Sequence, residues 1–250
     1  MKTNWDYTNL ADAYLKRPDY SNTAIDAMLS ISKLSVKANI CDVGAGVGHL
    51  TLVLANKGFQ IKAVEPNDAM RSIGKIRTKD FKNINWHEGT GEETGQQSNS
   101  FQMVTFGSSF NVCDRKKALI ETSRILQPKG WFACMWNHRS LENPIQSKIE
   151  SIIKSHIPKY GYGTRREDQT NIINQSNLFG PVIHLDSMIE HKQNIKDCIE
   201  AWKSHATLQR QAGGSFDLII NEINSFLNSL DTSTIIIPYK TNLWLTQLLG

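Results

Sequence analysis

The chain has 250 residues, 40% hydrophobic and 21% charged, with 28 basic against 24 acidic side chains and a formal net charge of +4. That length suits one α/β domain with a sizeable core rather than two full domains, and the composition excludes wholesale disorder and fibrous architectures. The charge excess is spread thinly, its densest runs being Arg115-Lys116-Lys117 and Arg165-Arg166, so no nucleic-acid partner is expected.

The N-terminal residues contain no apolar run that could act as a signal-peptide core. No segment reaches the roughly 18 apolar residues of a membrane span, so the expected location is cytoplasmic. The four cysteines, Cys41, Cys113, Cys134 and Cys198, lie far apart with no C-x-x-C pair. They read as small buried hydrophobes, not as a disulfide framework or a metal site.

In chain order, strands are predicted at 39–43, 61–65, 84–87, 101–106 and 130–136, with crossover helices at 51–57, 68–76 and 114–126. Such alternation marks βαβ units and a parallel sheet. Asp114 suits the N-cap of the third helix, and Pro128-Lys129-Gly130 reads as a turn that stops it and opens the next strand. Beyond it come an amphipathic helix at 141–160, the polar loop GYGTRREDQTN, a strand at 182–191, a helical block at 195–230 and a strand at 234–245. The last two strands extend the same sheet. The helices around them roof its C-terminal edge, where open α/β sheets bind ligands.

The most informative stretch is Ile40-Cys41-Asp42-Val43-Gly44-Ala45-Gly46-Val47-Gly48-His49-Leu50, a strand, a glycine-rich turn and a helix start. Glycines there permit positive φ and let a ligand touch the backbone, while the helix N-terminus offers free N–H groups to a carboxylate. Glu65 ends the next strand about 20 residues on, the placement from which an acid can accept hydrogen bonds from both ribose hydroxyls. The pairing points to a nucleoside with an anionic tail. The spacing is G-x-G-x-G, with His49 where the dinucleotide fingerprint needs its third glycine, and Asp42 precedes the first glycine by two. That carboxylate would repel a pyrophosphate and tolerate a ligand bearing an ammonium and a sulfonium.

These residues resemble the class I S-adenosylmethionine (SAM)-dependent methyltransferases, in particular the bacterial branch of ubiquinone-type and trans-aconitate-type small-molecule enzymes. ADAYLKRPDY resembles that branch's N-terminal lid, DVGAGVGHLT its SAM loop, VEPNDAMR its ribose turn, and GTGEE its adenine loop. SFQMVTFGSSFNVCD, ILQPKGWFACMWNHR and PYKTNLW are similar to its fourth strand, fifth strand and last hairpin. The resemblance implies a doubly wound, seven-stranded, mostly parallel α/β sheet with an N-terminal helical lid and a helical insert over the C-terminal edge. It implies one domain over 1–250: lid 1–38, SAM-binding core 39–137, acceptor insert and last strands 138–250.

By the same resemblance, Asp42, Gly44, Gly46 and Gly48 line the methionine half of SAM, Glu65 holds the ribose, and Ala45, Leu50 and Pro66 belong to the same cofactor site. Met70 packs on adenine, whose edge meets Thr90, Gly91 and Glu92, although Met70 also suits plain helix core and Glu92 a solvated loop acid. Tyr14 and Arg17 close over the cofactor, Arg17 pairing its carboxylate or simply standing exposed. Gly107 and Ser108 border the transferring methyl. Where relatives often carry a histidine this chain has Asn111, which cannot act as a base near neutral pH. A base is needed only if the acceptor arrives protonated. His138, just past the fifth strand, is then the best candidate and His49 a poorer one, with an ordinary surface histidine as the plain alternative.

Acceptor contacts are sought at Asn111, at Tyr162, Arg165 and Arg166 in the variable insert, and at Trp202 and His205, spaced i and i+3 on one helix. A basic loop would suit an anionic substrate. Solvated loop and core packing are the corresponding plain readings. The expected activity is methyl transfer from SAM to a small-molecule oxygen or nitrogen, leaving S-adenosylhomocysteine (SAH), with no metal. Alternatives are a SAM-binding protein without turnover, a nucleic-acid methyltransferase, which the absence of an Asn-Pro-Pro-Tyr-type motif at 107–110 disfavours, and an NAD-dependent oxidoreductase. Nothing in the pattern specifies an oligomeric state.

Overall fold

A computed structural model describes residues 11–203 and 205–250. Two helices lead in: α1 (Ala11–Tyr14) and α2 (Asn22–Ser32), the latter capped by Ser21, whose hydroxyl accepts the Ala24 N–H at 3.3 Å. The alternating half then runs β1 (Asn39–Val43), α3 (His49–Asn56), β2 (Gln60–Val64), α4 (Asp68–Arg77), β3 (Ile84–His87), β4 (Phe101–Gly107), α5 (Arg115–Ile125) and β5 (Leu126–Arg139). The remainder is α6 (Pro144–His156), α7 (Thr170–Asn174), β6 (Ile183–Asn194), α8 (Ile195–Lys203), α9 (Ala206–Ala212), α10 (Phe216–Asn228) and β7 (Thr234–Gln247).

All seven strands form one sheet in the order β3-β2-β1-β4-β5-β7-β6. The pairs among β1 to β5 are parallel, and β7 runs antiparallel to both β5 and β6, so β7 alone is reversed. This is the expected doubly wound sheet. Short polar caps fix the helix starts, Asp114 among them as the sequence predicts. Asn67 accepts from Met70 N, Asp114 from Lys116 N and Lys117 N, and Asn143 from Gln146 N just before Pro144 at the first helical position.

Two predicted boundaries move. The turn expected at 128–130 is a bulge inside β5. Leu126 pairs with Phe101 and Trp131 with Met103, and Lys129 takes φ +61° to absorb the extra residues. At its other end β5 runs three residues past the predicted stop, because β7 pairs it as far as Arg139↔Tyr239 and supplies the ladder bonds that local sequence does not announce. The single helical block predicted at 195–230 is three helices.

The core lies on both sheet faces. One side holds an aromatic group in which Phe106, Phe110 and Phe132 meet edge to face at 5.4 to 5.8 Å. The other buries Ile25, Met28, Leu54, Ile61 and Met103. A third cluster, including Ile149, Ile153, Trp202, Ile219, Ile223 and Tyr239, joins α6, α8 and α10 to the reversed strand and forms a roof beside the carboxyl ends of β4 and β5. Cys41, Cys134 and Cys198 are buried and free, while Cys113, expected buried too, is half-buried beside the site. Among the described residues, no helix is long and apolar enough to cross a membrane.

Candidate functional site

A cavity of about 370 Å³ opens where β1, β2, β4 and β5 end, between the glycine turn and the helical roof. Gly44 and Gly46 form its floor at φ +66° and +57°. A Cβ at Gly44 would lie 2.4 Å from Ser109 Cβ, so packing behind the turn demands glycine. At Gly46 a Cβ would meet nothing within 4 Å, because this glycine faces the cavity itself. Gly48, expected on the methionine side of a ligand, is not on the cavity wall. It caps α3 at φ +87°, and an added Cβ would stand 3.2 Å from the Trp86 ring, so its constraint is a helix start packed against an indole.

Glu65 is 6% exposed and takes a backbone N–H on each carboxylate oxygen, Gly46 N on Oε2 and Asn67 N on Oε1, both at 2.8 Å. The carboxylate thereby ties the turn after β1 to the turn before α4, and desolvation raises its pKa against those two bonds. Asp42, buried at the end of β1, accepts from Thr51 Oγ1 at 2.6 Å and Thr105 Oγ1 at 3.0 Å, and burial pushes its pKa up to about 6. Both acids reach the cavity, as do Ala45, Leu50 and Pro66.

At one end of the cavity Met70 packs with Ala11 and Val47, and Thr90, Gly91 and Glu92 line the wall. Glu92 is not a free loop acid, since its Oε1 accepts the Asp114 N–H at 2.6 Å and so pins the 90–92 loop to the cap of α5. On the lid, the Arg17 guanidinium lies 3.6 Å from the Tyr14 ring centre, and both residues line the cavity. Gly107 and Ser108 close β4. Ser108 sits at φ +60°, unusual for a residue with a side chain, and its hydroxyl is 2.8 Å from Tyr20 Oη.

On the roof side, His138 lines the cavity with both ring nitrogens engaged. Nε2 lies 2.9 Å from the Arg165 carbonyl and Nδ1 3.2 Å from Asn242 Nδ2. The carbonyl can only accept and the amide nitrogen only donate, so Nε2 carries the hydrogen and the Nδ1 lone pair is taken. Burial, with Arg165 and Arg166 nearby, lowers its pKa to about 4. In this arrangement His138 has no free lone pair with which to act as the base sought there. The other candidate, His49, is held by Asp19 at 2.8 Å and the Tyr14 carbonyl at 3.0 Å.

Asn111 reaches only a side cavity of about 40 Å³, where its Oδ1 accepts from Trp136 Nε1 at 2.8 Å. Tyr162, Arg165 and Arg166 do line the main cavity, and the segment is docked: Tyr162 Oη donates to Glu150 Oε2 at 2.5 Å, and Arg166 stacks on Tyr162 at 3.9 Å. Trp202 is core, 2% exposed and off the cavity wall. It does not share a helix with His205, because α8 ends at Lys203 and His205 caps α9, its Nδ1 accepting Leu208 N–H at 3.2 Å. His205 itself borders both cavities.

Sequence reading assigned no role to Tyr20, Arg139 or Tyr239, all of which line the cavity. Tyr20 had a signal, as the last residue of the lid motif. Arg139 had a weaker one, standing next to His138. Tyr239 stood in the last-hairpin motif PYKTNLW, but its place on the cavity wall follows from the β5–β7 register.

The sheet order, the reversed seventh strand and the glycine turn joined to an acid on β2 define a class I methyltransferase fold. Residues 41–134 match the methyltransferase-domain family model. It is similar to an uncharacterized methyltransferase of Schizosaccharomyces pombe, 28% identical over 148 residues that cover 59% of this chain and 58% of that one. It is also similar to the ubiquinone/menaquinone biosynthesis C-methyltransferase UbiE of Rickettsia bellii, 27% identical over 62% of this chain and 68% of that protein. The aligned regions take in about half to three fifths of the first curated relatives it matches. The fold is shared with phosphoethanolamine N-methyltransferase 2 of Haemonchus contortus, solved with S-adenosyl-L-methionine, at TM-score 0.56 and 15% identity, covering 100% of this chain and 59% of that one.

Proposed function

We propose that the protein transfers a methyl group from SAM to a small-molecule acceptor. The reading rests above all on one observation, the Glu65 carboxylate fixed by the Gly46 and Asn67 amides at the edge of the 370 Å³ cavity. Each of its oxygens keeps lone-pair capacity beyond those bonds, which suits the two hydroxyls of a ribose. Gly46, with open space where a side chain would be, leaves room for a ligand's backbone-hugging chain. Asp42, one strand inward, offers a negative charge to an ammonium or sulfonium.

When bound, SAM supplies an electrophilic methyl group on sulfur, open to in-line displacement by an acceptor lone pair. The residues of this chain then have to bind, orient and exclude water. Glu65 would hold the sugar, Met70 and the 90–92 loop the base, and Tyr14 with Arg17 the open side. Gly107 and Ser108, at the end of β4, would border the reacting centre, with Tyr20 fixing the Ser108 hydroxyl. With His138 bonded at both nitrogens, the favoured acceptor is one that arrives with its lone pair already free.

Calorimetric titration with SAM and SAH tests the cofactor, and release of SAH from SAM in the presence of acceptors tests turnover. Binding of both ligands and acceptor-dependent SAH release are expected. A protein that ignores both at millimolar concentration overturns the assignment, and binding without turnover for any acceptor reduces it to a SAM-binding protein.

A further inference from the structure

The charges around the cavity are sorted. Its lining acids are Asp42, Glu65 and Glu92, all at the glycine-turn and 90–92 end; Lys16 and Arg17 line it from the N-terminal segment, and Arg139, Arg165 and Arg166 face it from the roof with no acid on the wall beside them. Glu150, behind that wall, already accepts from Tyr162 Oη at 2.5 Å and pairs with Lys154 Nζ at 3.2 Å. The three guanidiniums arrive from different elements, Arg139 from the end of β5 and the other two from the insert between α6 and α7.

Aromatic faces hold two of them in place. Arg139 lies 4.1 Å over the Trp202 ring and 5.6 Å over that of Tyr239, and Arg166 lies 3.9 Å over Tyr162. Stacking fixes a guanidinium plane while leaving its N–H edge free to donate. The Arg166 Nη2 bond to the Arg139 carbonyl at 3.2 Å sets the pair side by side. Yet Nε of Arg139, Arg165 and Arg166 are all shielded from solvent without a hydrogen-bond partner. Buried donors on like charges are held together at a cost unless an anion completes the group. The charge is felt locally, since Arg165 is lowered to about 10, first by burial and then by its neighbours Arg17, Arg139 and Arg166.

We infer that Arg139, Arg165 and Arg166 form an anion-binding subsite that anchors a carboxylate or phosphate group of the methyl acceptor at the roof end of the cavity. The inference rests on the methyl-transfer reading for the identity of the bound molecule as an acceptor. Guanidinium forks match both anion classes bidentately, so the shared chemistry is a planar or tetrahedral oxyanion. It separates the two ends of one cavity: the acidic end takes the cationic cofactor, and the basic end takes the anionic acceptor.

The test is a thermal-melt titration of the full chain, with and without SAH. Succinate and citrate form one arm and inorganic phosphate and glycerol phosphate the other, at about 10 mM with chloride balancing ionic strength, a level at which general salt stabilisation is small and common to all variants. At least one arm should raise the wild-type melting temperature by about 2 °C or more over chloride. Arg165→Gln/Arg166→Gln should lose that rise while keeping its SAH affinity, and Arg166→Gln alone should weaken the anion about tenfold, which guards against a double variant that fails to fold. The arm with the larger rise names the anion class. No rise in either arm, or an equal rise in the variants, overturns the subsite. Because the free protein is titrated as well, failure to bind SAH overturns the cofactor reading while the anion arms still decide this one.

Discussion

The Gly46 amide donates to Glu65 Oε2 at 2.8 Å, bridging the first glycine turn to the end of the second strand. One carboxylate therefore shapes the floor of the cavity and faces its interior. Glu65→Ala removes both backbone bonds and any bond to a sugar hydroxyl. Charge-assisted hydrogen bonds contribute about 1.5 to 3 kcal/mol each, so SAH affinity should fall by about a hundredfold or more. Glu65→Gln keeps one acceptor oxygen and should lose only about tenfold. Calorimetric dissociation constants check both values, and an unchanged affinity in Glu65→Ala would remove the acid from the site.

Asp42 gives a pH signature. Desolvation raises its pKa from 3.8 to about 6 in the folded chain, outweighing the two threonine hydroxyls that pull it down. The folded state keeps a proton that the unfolded chain has already lost, so Asp42's contribution is whole below about pH 4. It is lost as pH rises through about 6, a difference of roughly 3 kcal/mol. A cationic ligand should favour the ionised form, so SAM should bind about tenfold more weakly at about pH 5 than at about pH 7. The same titration on Asp42→Asn should lose that dependence.

Much of this arrangement was legible because it is local. The turn from Asp42 to Gly48, Glu65 and the 89–93 loop are short segments whose residue types announce their backbone. The departures are long-range. Gly48 looks like its two neighbours in sequence, and only the fold brings Trp86 against it. Trp202 and His205 have helical spacing, but α8 ends at Lys203 and His205 caps α9, so one is core and the other borders the cavity. Arg139 becomes a lining residue because β7 extends β5 beyond Trp136, a pairing between strands a hundred residues apart in sequence. The roof end of the cavity thus depends on register, which periodicity within one strand does not specify.

Gly74 shows the same long-range constraint in a form that stability can read. In the middle of α4 an alanine would ordinarily stabilise the helix by about 1 kcal/mol. Here its Cβ would lie 2.2 Å from Trp86 Cη2, and the indole is tethered by Nε1 to Thr78 Oγ1 at 2.8 Å. Overpacking of about 1 to 3 kcal/mol should win, so Gly74→Ala should lower the melting temperature by roughly 2 to 6 °C. Trp86→Phe in the same chain should recover part of the loss, and a melting temperature above wild type would show that the indole moves aside freely.

His138 should act on stability with the opposite sign to Asp42. Its pKa is lowered from 6.5 to about 4, so the unfolded chain takes up a proton that the folded site refuses. The stabilisation is present above about pH 6.5 and is lost as pH falls towards 4. Over the same interval Asp42 pulls the other way, so the two contributions offset. Relative to wild type, Asp42→Asn should make stability rise more steeply with pH between about 4 and 6, whereas His138→Gln, which can still donate to the Arg165 carbonyl, should make it rise less. Urea midpoints across that interval decide it, and parallel profiles for all three proteins would sink the account. Because neither ring nitrogen has a lone pair to spare, His138→Gln should also keep most of the turnover with an acceptor that needs no deprotonation. With an acceptor that arrives protonated, a collapse of kcat at unchanged KM would instead restore His138 as the base.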